Sequence, residues 1–197
     1  MISSNIKSGT ITKSDHSKRS RSQSIDLGDI LPHDKMAEQA ILGAIIIQNT
    51  ILPQVLDIIN TEDFFSPANQ YIFSAMQEMA SDEPPVPIDE LTLLRKLESR
   101  QQLEQTGGVE YLNELSQKTP VAENAEFYAH IVREKGQLRD IILTAHEVAK
   151  RGQEGSTENI SEFIDEATDR LRSIDSRTRL RRYSHLKEVL ETNFEQL

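Results

Sequence analysis

Beyond Asp34, apolar residues return at steps of three and four almost without interruption, a period that buries one side of an α-helix and cannot alternate across a strand. The chain is therefore expected to pack helices on helices, an all-α fold. Asp34 is placed to cap a first helix in which Met36, Ala37, Ala40, Ile41, Ala44, Ile45 and Ile47 cover most of the circumference, so this helix is expected to be buried on several sides. Its small residues, Ala37, Ala40, Gly43 and Ala44, let a neighbouring helix approach closely. A second helix is expected from about Thr50 to Ile59, with Pro53 in the first turn, where a missing N–H costs nothing. Ser66-Pro67 opens a third, with the stripe Ile72, Phe73, Met76, Met79 and Ala80, and Phe64 and Phe65 just ahead of it read as core anchors. Pro84-Pro85-Val86-Pro87 ends that helix in an extended link. Asp89 then caps a fourth, whose Leu91, Leu94 and Leu97 are expected to face inward. Gly107-Gly108 separates it from a short helix holding Tyr111, Leu112 and Leu115. Five short helices suit a globular head.

The pattern then lengthens. Asn124 is placed to cap a helix running to about Lys150, with a stripe of Tyr128, Ile131, Leu138, Ile142, Ala145 and Ala149 and with Glu126, Arg133, Glu134, Arg139 and Glu147 between them. After a turn at Arg151 to Glu158, Asn159 and Glu162 stand at capping-box spacing, and Ile160, Phe163, Ile164, Ala167, Leu171 and Ile174 repeat at steps of three and four. Two matched helices across a short turn form an antiparallel hairpin. Alone it buries too little to be stable, so its second face must meet the head or another chain. A basic connector (Arg177, Arg179, Arg181, Arg182) leads to a last amphipathic helix from about Ser184, with Leu186, Val189, Leu190, Phe194 and Leu197 on one side. The expected order is a polar tail (1–30), a helical head (31–120), a helical hairpin (121–175), and a connector with a separate C-terminal linker helix (176–197).

Composition narrows the chemistry. With 5% aromatic residues and no Trp, the core must be aliphatic. The absence of Cys removes disulfides, thiolate nucleophiles and Cys-ligated zinc, and fits a reducing compartment. The longest apolar run, Ala44 to Ile47, is far short of the roughly 18 residues that span a membrane, so no membrane crossing is expected. The formal charge of -10 is uneven: residues 1–30 hold five cations against three carboxylates, a net of +2, leaving -12 for the rest. An acidic body is repelled by a phosphate backbone and is not expected to grip DNA. The run Ser-Lys-Arg-Ser-Arg-Ser-Gln-Ser (17–24) suits a solvated tail of a cytoplasmic protein better than an organellar transit peptide or a nucleic-acid-binding arm.

No catalytic centre is legible. The carboxylates sit on polar helix faces, and His16, His33, His130, His146 and His185 lack the helical spacing of a metal-binding pair. There is no Gly-x-x-x-x-Gly-Lys-Ser/Thr phosphate cradle, and the arginines from Arg172 to Arg182 have only Tyr183 for stacking. No catalytic, cofactor or metal residue is expected in this chain.

An ordered series of strings carries a resemblance: Glu38-Gln39-Ala40-Ile41-Leu42-Gly43-Ala44-Ile45, Glu62-Asp63-Phe64-Phe65-Ser66-Pro67 followed by Tyr71-Ile72-Phe73, Pro87-Ile88-Asp89, Leu103-Glu104-Gln105-Thr106-Gly107-Gly108 with Tyr111-Leu112, and Asn124 to Lys135 followed by Leu138-Arg139. From about Leu31 to Ile174 the chain resembles the N-terminal region of bacterial DnaB-type replicative helicases. The resemblance implies a collar of dimers, three dimers to a hexamer, above a RecA-like motor. It also implies docking of the primase C-terminal domain on the hairpin side, a linker helix packed on the neighbouring motor, and a place in the bacterial cytoplasm. Residues 125–174 would be the hairpin, with Ile131, Leu138, Ile142, Ile160, Ile164 and Leu171 as its interface. Residues 184–197 would be the linker helix, with Leu186, Val189, Leu190 and Phe194 as its interface. A helicase loader is a further implied partner, and DNA would meet the parent ring rather than this region. ATP and Mg would belong to a motor that these residues do not contain, so unwinding is not expected of them. The polar extension before Leu31 departs from the family pattern. A stand-alone regulator or loader that mimics the collar is the alternative.

Overall fold

The computed structural model describes residues 31–119, 121–155 and 159–174; the tail, the connector and the linker helix with Leu186, Val189, Leu190 and Phe194 lie outside the described residues. Seven α-helices and no strand occur among the described residues: α1 (Lys35–Ile47), α2 (Leu52–Ile58), α3 (Pro67–Ser81), α4 (Glu90–Ser99), α5 (Gly108–Lys118), α6 (Ala125–Glu154) and α7 (160–174).

α1 is the centre of the head. The Asp34 carboxylate accepts from the Ala37 N–H at 3.0 Å, and every residue from Ala40 to Ile46 is buried. α5 crosses α1 so closely at Gly43 that a Cβ there would overlap the Leu115 carbonyl and the Thr119 hydroxyl. The all-round apolar character of α1 thus has its physical reason in neighbours on several sides. No single helix among the described residues is long and apolar enough to span a membrane; α1 with the segment to Ile58 passes only as a pair bent by 120°.

α3 buries Ile72, Phe73, Met76 and Met79 as the period predicts, but Ala75 and not Ala80 completes the row. In α4 the expected inward row is corrected too: Leu93 and Leu97 are fully buried, Leu94 partly, and Leu91 is 57% exposed. The cap sets this register. Asp89 accepts from the Thr92 N–H while Thr92 Oγ1 accepts from the Asp89 N–H, so the helix begins at Glu90 and turns Leu91 outward. The proline link is pinned by Asn49, whose amide donates to the Ile88 carbonyl (2.6 Å) and accepts from the Ile88 N–H (2.7 Å).

α6 is shared by head and hairpin. Ala125, Ala129 and Val132 belong to the core that α1 and α2 also build, so packing does not divide at residue 120. The buried face runs Ala125, Ala129, Val132, Arg133, Gly136, Arg139, beside the expected stripe and not along it: Tyr128, Ile131 and Ile142 are half-buried and Leu138 is exposed. Both rows have helical period, and the row with smaller side chains is the one that allows close approach.

Candidate protein-interaction site

Three parts of the chain meet where α6 leaves the head. Asp63 ends a 3-10 turn, Thr61–Asp63, and its carboxylate accepts from the Asn60 N–H at 2.7 Å and from Arg133 Nη1 at 3.0 and 3.1 Å. Arg139, two turns further on, donates to the Asp63 and Pro32 carbonyls and lies over the Phe65 ring, on whose plane His33 stacks at 4.3 Å. Gly136 faces Asp63 between the two arginines; a Cβ there would stand 2.8 Å from Asp63 Oδ1. Burial pushes the Asp63 carboxyl up, opposed by the Asn60 N–H and by Arg133; burial likewise pushes the Arg139 guanidinium down. These groups fix how α6 crosses the head. Sequence reading placed both arginines on a polar face and missed the joint; a glycine inside a helix, three residues from each arginine, was its available signal.

Beyond the joint, α6 runs to Glu154, where Gly155 (φ 63°) ends it, and α7 returns with Asn159 accepting from the Ser161 N–H at 3.1 Å. The seam between α6 and α7 combines an ionic ladder with Phe163, Ala167 and Ile174, which are half-buried or buried. Arg151 holds Glu166 through two bonds of 2.9 and 2.8 Å, and Arg170 reaches Glu147 (2.6 Å) and Glu166 (2.8 Å). Arg151, and after it Arg170, holds the Glu166 carboxyl down at about 2. The Arg151 guanidinium also lies over the Phe163 ring at 5.3 Å.

Apolar side chains are left outside this seam. Ile160, Ile164 and Leu171 are 71, 56 and 45% exposed, whereas Ile174 is buried and Phe163 and Ala167 are half-buried. On α6, Phe127, Leu138, Ile141 and Leu143 are exposed, and Ile131 packs partly against the head. Of the predicted interface residues, the structure therefore sets Leu138, Ile160, Ile164 and Leu171 in the open and Ile131 and Ile142 half-covered. Ile131 also lines an apolar groove of about 330 Å³ with Met36, Ala40, Leu115 and Tyr128. Among the described residues no three His, Cys, Asp or Glu side chains are grouped to hold a metal.

Known proteins are similar to this chain in sequence and fold. The profile described as "DnaB-like helicase N terminal domain" matches residues 30–134. The replicative DNA helicase DnaB of Geobacillus stearothermophilus is 36% identical over 168 residues, 85% of this chain and 36% of that protein. The replicative DNA helicase DnaC of Bacillus subtilis is 32% identical over 172 residues, 87% of this chain and 37% of that protein. The chain thus spans a little over a third of the length of these relatives. Among solved structures, the N-terminal domain of DnaB helicase from Mycobacterium tuberculosis superposes with a TM-score of 0.66 at 30% identity, covering 73% of this chain and 99% of that one. The helical order, the core strings and the superposition agree, and the chain belongs to the family of DnaB-like helicase N-terminal domains.

Proposed function

We propose that this region is the oligomerisation and primase-docking collar of a hexameric replicative helicase, with dimers formed through the hairpin and three dimers to the ring. The observation that carries this reading is the apolar row Ile160, Ile164 and Leu171, left exposed on α7 although Phe163, Ala167 and Ile174 already line its inner face. Exposed apolar rows on a helix pair are covered in a working protein by other polypeptide. A collar needs no chemistry of its own: it raises the local concentration of motors and of primase by symmetry and tethering. ATP and Mg would act in a motor supplied by the rest of the parent protein, in the bacterial cytoplasm. The linker helix, through Leu186, Val189, Leu190 and Phe194, would join collar to neighbouring motor, and a loader would act on the assembled ring.

Sedimentation velocity at tens of micromolar tests the reading. The wild-type chain is expected to sediment as dimers or larger. Ile164→Asp or Leu171→Asp places a charge on a seam that must be desolvated, and should weaken association tenfold or more, which is about 1.4 kcal/mol. The primase C-terminal domain should co-sediment with the wild type. A wild type that stays monomeric with and without primase refutes the proposal.

A further inference from the structure

Glu38, in the first turn of α1, is only 2% exposed. A carboxylate is rarely buried so completely unless N–H donors or a cation meet it. Its two oxygens accept from the Phe65 N–H at 2.7 Å, the Ser66 N–H at 3.3 Å and Asn69 Nδ2 at 2.8 Å. Ser66 opens α3 without a side-chain cap of its own, so α1 supplies the negative charge at the start of α3. Asn69 is fully buried and is fixed in turn by the Tyr111 hydroxyl, which donates to its Oδ1 at 2.7 Å.

Arg139 grips the same short segment. It donates to the Asp63 carbonyl and lies over the Phe65 ring, so residues 63–66 join Glu38 of α1 to Arg139 of α6. The hydrogen bonds of Arg139 go to neutral acceptors, the Asp63 and Pro32 carbonyls. Burial pushes its guanidinium down, while Glu38, and after it Asp63, holds it up through space. Arg139 is also the last buried residue of α6: Ala125, Ala129 and Val132 pack in the core, and beyond Arg139 none of the helix is buried. The course of α6 past the core therefore depends on what holds Arg139.

We infer that Glu38 is a positioning residue for the hairpin: it clamps residues 65 and 66 beside Arg139, balances the buried guanidinium, and so fixes the direction in which α6 leaves the head. This role goes beyond the oligomer reading and stands whatever covers the apolar row of α7.

The chain has no Cys, so Gln117→Cys on α5 and Lys150→Cys on α6, both at exposed positions, give a clean pair of spin-label sites. α5 crosses α1 closely at Gly43, so the distance between the labels follows α6. Pulsed electron paramagnetic resonance is read on the full chain, with labelled protein diluted into unlabelled protein so that only distances within one chain count. Without further substitution the distribution should be narrow. Glu38→Gln keeps the shape of the side chain but turns an amide NH2 toward N–H donors. It should broaden or shift the distribution by several ångström, as should Arg139→Gln, and the double variant should go no further than Arg139→Gln alone. In urea unfolding the two single losses should sum to more than the loss in the double variant, because each leaves the other's charge buried without its match. Leu97→Ala opens a cavity in α4, which supplies neither clamp nor guanidinium; it should lower stability and leave the distribution narrow. Should Glu38→Gln not fold, Phe65→Leu keeps the N–H that Glu38 takes, removes the ring beside Arg139, and should broaden the distribution in its place. A distribution unchanged in the folded variant, equal broadening in Leu97→Ala, or additive urea losses overturns the clamp.

Discussion

Asp63 shows how one buried carboxylate can hold two parts of a fold together. Its two oxygens take one backbone N–H and one guanidinium, while its own carbonyl takes a second guanidinium, so the turn at residues 60–63 and α6, distant in sequence, are tied at one point. Such a pair contributes little over a well-packed apolar substitute, but breaking it leaves a charge without its partner. Arg133→Ala is therefore expected to destabilise the head by about 3–5 kcal/mol in urea unfolding. Gly136→Ala should cost about 1–3 kcal/mol by overpacking against Asp63. The sign of the pH effect is particular to this site. A carboxyl whose folded pKa lies above its unfolded value weakens the fold once it ionises, so acid does not remove stability through Asp63. Equal urea midpoints for Gly136→Ala and wild type would contradict the close approach at α6.

Single helices differ in how much of themselves their sequences disclose. α1 was legible because apolar residues on all sides leave only burial, and α3 because its large side chains fall on one row. In α4 the choice between Leu91 and Leu93 depends on one residue of register, which a cap hydrogen bond decides and periodicity alone does not. α6 carries two apolar rows, and the bulkier one drew the expectation outward, although Ala129, Val132 and Gly136 are what a close crossing requires. Of the apolar row that the sequence singled out on α7, Ile160, Ile164 and Leu171 are exposed whereas Phe163, Ala167 and Ile174 are not, and the ion pairs beside them were invisible in one dimension, since Arg151 and Glu166 stand on different helices. That ladder makes a prediction at its own scale. Glu166, held at about 2 against an ordinary value of 4.5, supports the seam above pH 4.5 and loses that contribution as pH falls toward 2. Carboxyl-resolved NMR should find Glu166 titrating near the lower value, and Arg151→Gln should raise it; a Glu166 midpoint near 4.5 in the wild type would remove the ladder.

Over the whole molecule, stability and interaction are unevenly distributed. The fully buried large side chains, from Ile41 to Leu115 together with Val132, lie in the head, while in the far half of the hairpin only Ile174 is buried among the described residues and exposed ion pairs flank the seam. A chain of residues 31–144 is accordingly expected to keep a cooperative thermal transition followed by circular dichroism. Residues 145–174 alone should show little helix, because short helices without a packed face are marginal in water. Strong helicity in the isolated 145–174 segment would show that the hairpin needs no anchor.

The continuity of α6 has a mechanical corollary. With about 15 residues beyond Arg139 at about 1.5 Å each, the portion past the joint is a rod some 22 Å long that leaves the head at one end. A tilt of about 10° at the anchored end would sweep the tip by about 4 Å, most of one helical pitch. Small rearrangements around Asp63 would thus arrive at the far end magnified, and whatever grasps that tip has leverage on the joint in return.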